Sequence, residues 1–211
     1  MDLIKLFASA LNRYNHFMIV LTFLPFLVIE YKKNSKAVFN IFFTVFIALA
    51  MSILAKAVFR IPHPANPNTF AFPSSHCWII PLTAYCCMNC LLKDKKLCMK
   101  WLVFFMAVET FICVAGGHHT WFECFAGLVG CILSLVAIEW YLKKMNHIKF
   151  VFGCLFGISV CAFAWHVSPA YGRGSFFNAG TFGAISLLLY VCPLLTNRNR
   201  KKKNRSVKFL H

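Results

Sequence analysis

The chain has 211 residues, 60% of them hydrophobic and only 13% charged, with a net charge of +16. Soluble domains carry about 25% charged residues, so this composition excludes an ordinary water-soluble globule. The basic excess sits in alternate loops and a tail, where anionic lipid headgroups are the usual partner, so no nucleic-acid role is expected.

Taken in chain order, residues 1–15 read as a short amphipathic helix at the membrane interface, because Asp2, Lys5 and Arg13 interrupt the apolar residues and no signal-peptide pattern is present. Seven apolar segments follow, at about 16–31, 37–59, 76–92, 97–116, 120–142, 150–167 and 178–196. A spanning helix needs roughly 17–25 apolar residues. The first and sixth segments are short, so six to seven spans are expected. In lipid the backbone must satisfy its own polar groups, which favours helices. The expected fold is therefore an all-α polytopic transmembrane bundle, one domain over 1–211, closed by a basic tail at 197–211.

Charge sets the orientation. Lys32, Lys33 and Lys36 follow segment one, and Lys93, Lys95, Lys96 and Lys100 follow segment three. Lys143, Lys144 and Lys149 follow segment five, and RNRKKKNRSVK follows segment seven. The positive-inside rule makes these loops and the C-terminal tail cytoplasmic. The N-terminus, residues 60–75, 116–119 and 168–177 then face a periplasm or a lumen.

Most of the cysteines, such as Cys86, Cys87, Cys90 and Cys131, fall inside apolar segments, where cysteine acts as a small hydrophobe. Cys86-Cys87-x-x-Cys90 has no partner pair at zinc-site spacing. No metal and no cofactor are expected.

The unusual polar residues collect on the outward side. Lys56 and Arg60 end segment two, and His63 lies in the loop after it. Pro73, Ser74, Ser75 and His76 open segment three. Gly116, Gly117, His118 and His119 join segments four and five, with Glu123 a turn further on and Arg173 in the last outer loop. At i, i+4 on a helix, His119 and Glu123 would share a face, and the carboxylate would fix the imidazole tautomer that a nucleophile needs. The first N–H groups of segment three form an anion site, Lys56 adds a full charge, and His76 can protonate a leaving oxygen. Phosphoryl transfer through a phosphohistidine is the chemistry these groups suit.

Three stretches carry a resemblance: KAVFRIPHP at 56–64, PSSH at 73–76 and ICVAGGHHTWFE at 112–123. In order and spacing they are similar to the signature of the type 2 phosphatidic acid phosphatase superfamily. That signature is Lys, six residues, Arg-Pro; then Pro-Ser-Gly-His; then Ser-Arg, five residues, His, three residues, Asp. The similarity covers about residues 37–142. It implies His119 as nucleophile, Glu123 as its orienting acid and His76 as general acid. It also implies phosphate contacts from Lys56, the Ser74 hydroxyl and the Ser75 N–H. The sequence departs from the pattern at both clamp arginines, which are His63 and Cys113 here, and at Ile112, Ser75 and Glu123. Arg60 and Arg173 are the available substitutes.

The implied activity is phosphatase or phosphotransferase action on a lipid-linked phosphate or pyrophosphate, of polyprenyl pyrophosphate or lipid A type. The implied place is a bacterial inner membrane with the site facing the periplasm, or an endoplasmic reticulum. The alternative is an inactive protein of the same fold that binds lipid or a partner. A transporter ranks below both, since no inverted repeat is visible. His118 reads as an interfacial neighbour, Glu109 as a hydrogen-bonding or functional carboxylate inside the membrane, and Trp78 and Trp121 as members of an aromatic belt. The oligomeric state is left open.

Overall fold

A computed structural model describes residues 23–63, 66–92, 94–143, 145–169, 171, 177 and 179–193. The expected interfacial helix at 1–15, the start of segment one, Arg173 and the basic tail lie outside the described residues. The helices are α1 (23–33), α2 (Ser35–Phe59), α3 (Ser75–Leu92), α4 (Lys95–Ala115), α5 (Trp121–Leu142), α6 (His147–Val167) and α7 (Ala179–Pro193). Between α2 and α3 a hairpin pairs β1 (Pro62–His63) with β2 (Asn66–Phe70), antiparallel and irregular at Pro62/His63. The sequence pattern predicts only a loop there. The fold is otherwise all-α.

Side chains that satisfy the first free N–H groups set the helix starts. Asn34 accepts from Ala37, Asp94 from Lys96 and Leu97, Thr120 from Glu123, and Asn146 from Lys149. Ser74 does the same for α3, its Oγ accepting the Cys77 N–H at 3.4 Å. Gly117 lets the chain turn between α4 and α5 with φ of +69°, a region open to glycine at no steric cost.

Five helices, α2 to α6, are long and apolar enough to cross a membrane. α7 and α1 are the described parts of the expected seventh and first segments. The outward faces of α4 to α6 carry Phe104, Phe111, Phe125, Val136, Trp140 and Phe152, all more than half exposed. A soluble monomer does not display so broad an apolar surface, whereas lipid covers it at no cost.

The helices α2 to α6 run alternately up and down. α3 lies between α4 and α5 and also contacts α2, while α2 packs on α6. Two cores result. In one, Phe39, Phe43 and Phe46 of α2 meet Phe150 of α6 and Tyr190 of α7. In the other, Trp78, Leu82 and Tyr85 of α3 meet Cys98 and Leu102 of α4 and Cys131 and Ile138 of α5. Trp78 is thus a correction to the aromatic-belt expectation. It is 6% exposed and its indole N–H donates to Ser134 Oγ at 2.8 Å. Trp121 is 67% exposed.

Candidate active site

The α2 end, the hairpin, the α3 start and the α4–α5 turn meet at one end of the bundle. The local sequence explains how α5 begins there. Thr120-x-x-Glu123 is a capping box: the Thr120 Oγ1 accepts the Glu123 N–H at 3.3 Å, and Glu123 Oε2 accepts the Thr120 N–H at 2.8 Å. The same Oε2 lies 3.2 Å from His119 Nδ1. His119 therefore stands before the helix cap, not on a helical face. The expected pair forms, but because the cap folds the Glu123 side chain back over the turn.

His119 and Glu123 are both buried, at 8% and 7% exposed. With the carboxylate on Nδ1, that nitrogen donates and Nε2 is left with its lone pair. Burial, followed by the nearby Lys56 charge, pushes the His119 pKa down to about 4 against the pull of Glu123. The imidazole is neutral at physiological pH, the form a nucleophile requires.

Lys56 reaches this site from the last turn of α2. It is 8% exposed, and its Nζ donates to the Phe70 carbonyl at 2.9 Å, so the hairpin holds the ammonium in place. Glu123 and Cys113 lie within its electrostatic reach. His63, on β1, sets its ring 5.6 Å from that of His119, nearly perpendicular. Burial and Lys56 lower its pKa as well, so it too is neutral. His76, in the first turn of α3, brings its ring centroid to 6.3 Å from that of His119.

The PSSH turn is locked against α5. Ser74 N–H donates to the Glu123 carbonyl at 3.1 Å, and Ser75 Oγ pairs with Ser52 Oγ of α2 at 2.9 Å. A Cβ on Gly127 would stand 2.5 Å from the Ser74 carbonyl oxygen, so only glycine admits this approach. Ser74 is fully buried and its hydroxyl is engaged as the α3 cap. Ser75 and His76 are half-buried at the same turn.

Arg60 ends α2 in the left-handed region, at φ of 53°, and its Nε donates back to the Ala57 carbonyl at 3.2 Å. It is the only arginine among the described residues. Cys113, where the phosphatase signature compared above has its second arginine, is fully buried among thiols. Its carbonyl accepts the N–H groups of His118 and His119 at 3.0 and 3.2 Å. Glu109 is 2% exposed within α4.

The structure therefore brings together Lys56, His63, His76, His119 and Glu123, with Ser74 and Ser75 beneath them and Arg60 turned onto its own helix. Sequence reasoning missed the hairpin carbonyl that holds Lys56. It also missed the capping box, although TWFE carries its signature. No family model, no curated protein and no solved structure matches the chain.

Proposed function

We propose that the protein is a membrane phosphatase or phosphotransferase, similar to the type 2 phosphatidic acid phosphatases, acting on a lipid-linked phosphate or pyrophosphate. The observation that supports this reading best is the His119–Glu123 pair at 3.2 Å, with Lys56 and His76 delivered to it from two other helices. A nucleophile with its orienting acid, a fixed ammonium and a second histidine are the groups phosphoryl transfer needs.

His119 Nε2 attacks the terminal phosphorus, and the bond from that phosphorus to the leaving oxygen breaks, the lipid oxygen of a monoester or the bridging oxygen of a lipid pyrophosphate. Protonated His76 gives its proton to that oxygen. Lys56 offsets the charge on the phosphoryl oxygens. Water, or the hydroxyl of an acceptor lipid, then attacks the phosphohistidine, gives its proton to His76 and frees His119. The lipid tail stays in the bilayer while the headgroup meets the site. A polyprenyl pyrophosphate or a lipid A-type phosphate, met at the periplasmic side of a bacterial inner membrane, is the substrate class proposed.

The position of Cys113 favours a second reading. It is fully buried where the family carries a phosphate-clamping arginine, and Arg60 turns back onto α2. A protein that keeps the fold and binds lipid without turnover fits that loss. One assay separates the two readings: phosphate release by the full chain in detergent from polyprenyl pyrophosphate, lipid A and phosphatidic acid, with EDTA present. Release that His119→Ala lowers by about 10³-fold or more, equal to about 4 kcal/mol of barrier, is expected. Equal rates in the two chains, both folded, would leave the binding reading.

A further inference from the structure

Cys77, Cys113 and Cys124 come from three helices and meet one turn below His119. Their three Sγ atoms lie within 4.8 Å of one another, and all three residues are fully buried. They form a small cluster of their own, packed by Val114 and Leu128. Nothing in the proposed phosphoryl transfer uses them.

We propose that this trio is a binding site for a soft, thiophilic cation of low coordination number, Cu(I) by chemical class. Three sulfurs at about 2.3 Å around one centre stand about 4.0 Å apart, so the observed spread closes on an ion with a shift of less than about 1 Å. Thiolates select Cu(I), Zn(II) and iron–sulfur clusters over harder metals. Structural zinc takes four ligands. The polar side chains beside the Cys77 sulfur are the hydroxyls of Thr110, with Oγ1 at 3.9 Å, and of Ser74, and a hydroxyl is a poor fourth zinc ligand. Three buried sulfurs packed by Val114 and Leu128 suit an ion content with three. Binding involves no redox change: each thiol that ligates releases its proton to solvent, so affinity rises with pH.

Packing alone explains one buried cysteine, which behaves as a small hydrophobe. It does not require three on separate helices to turn their sulfurs to one point. The placement also ties the trio to the site above it. Cys77 follows His76 and Cys124 follows Glu123 in the chain, and the Cys113 carbonyl holds the N–H groups of both His118 and His119. An ion drawn in at the trio pulls on all three walls of the site.

The test uses the full chain, purified in detergent and reduced without oxygen. It is loaded with Cu(I) as its acetonitrile complex against a competing Cu(I) chelator, with a parallel Zn(II) series. The expected result is one Cu(I) retained per chain, with three sulfur scatterers at about 2.3 Å in X-ray absorption. The Cys86→Ser/Cys87→Ser/Cys90→Ser chain should retain it equally. Cys113→Ser should lower affinity at least 100-fold, as should Cys77→Ser and Cys124→Ser made separately. Thermal unfolding of each metal-free variant guards against a folding defect in any one. The proposal is overturned by any of three results: no ion retained against the chelator, undiminished retention in the folded single variants, or tighter retention of Zn(II) than of Cu(I). None of these readouts depends on phosphate release.

Discussion

The two halves of the bundle are packed on different terms. Where α2 meets α6 and α7, the contacts are phenylalanine rings lodged against glycines. A Cβ on Gly157 would stand 2.2 Å from Phe46 Cζ, and one on Gly153 would stand 2.5 Å from Phe43 Cζ. Where α3 meets α4 and α5, the small and polar side chains of Cys77, Cys113, Cys124, Cys131, Ser134 and Glu109 sit beside the larger Leu82, Leu102 and Ile138, with Trp78 bonded to Ser134. Lipid offers no hydrophobic drive for helices to associate, so both halves depend on close approach and on buried hydrogen bonds. The first half uses close approach, with a hydrogen bond between Tyr190 of α7 and His147 of α6. The second uses it to place the groups of the proposed site, since α3 and α5 bring the PSSH turn against Glu123.

Substitution of His119 should break this comparison most severely, because the loss of turnover already described comes with an intact aromatic half. A matched pair of glycine variants tests the comparison through packing. Gly127→Ala drives a methyl into the Ser74 carbonyl, which is backbone and cannot step aside. Gly157→Ala drives one into the rim of the Phe46 ring, a side chain remote from the proposed site. Overpacking costs about 1–3 kcal/mol, and a helical alanine returns up to about 1. Both variants should therefore melt earlier in detergent. Only Gly127→Ala should also lower phosphate release per folded chain, by about tenfold, because it displaces the turn beside Glu123. Equal activity loss in the two would mean that the halves are not separate.

The sequence shows the aromatic half better than the reactive half. Apolar runs gave α2 to α6 within a few residues, since helix length and lipid exposure are written in hydropathy. Segment 97–116 became Lys95–Ala115, and 150–167 became His147–Val167, because Asp94 and Asn146 cap earlier than the apolar residues begin. The site was legible as a set, since charge placed Lys56, His76, His119 and Glu123 on one side. Its construction was not. The helical i, i+4 rule joined His119 to Glu123 for a reason the structure replaces with a cap. The cysteine trio has no local spacing at all, and only the packing of three helices assembles it. Trp78 looked interfacial by position, yet Gly130 opens a seat for its ring inside the bundle.

Glu123→Gln separates charge from cap. Glutamine can still serve as the third residue of a capping box, so stability should stay within about 1 kcal/mol of the parent. The imidazole loses its carboxylate, and turnover should fall about 100-fold. A drop in melting as large as the drop in rate would show that the carboxylate acts only as a cap.

Lys56→Met acts on His119 through charge. Burial is the larger cause of the low His119 pKa and Lys56 the next, so the variant should raise that pKa from about 4 toward the ordinary histidine range. The sign for stability follows. Between pH 6.5 and about 4 the unfolded chain binds the His119 proton and the native chain does not. His119 therefore costs stability progressively as pH falls through that window and none above it. Lys56→Met should narrow the window from its lower end. A histidine titration followed by NMR in detergent reads the pKa directly, and an unmoved value would remove Lys56 from the account.

Thr120→Ala should have the smallest effect and makes the sharpest distinction. Losing an N-cap hydroxyl costs about 1 kcal/mol, and the Glu123 N–H loses its partner at 3.3 Å. Glu123 Oε2 keeps both the Thr120 N–H and His119 Nδ1, because neither contact uses the Thr120 side chain. The melting point should fall slightly while the pH dependence of phosphate release stays in place. If the His119 titration moves with the cap, the hydroxyl fixes the Glu123 rotamer, and the reactive pair is held by the helix start itself. If it does not move, the backbone N–H of Thr120 is sufficient to hold the carboxylate, and the capping box contributes only stability.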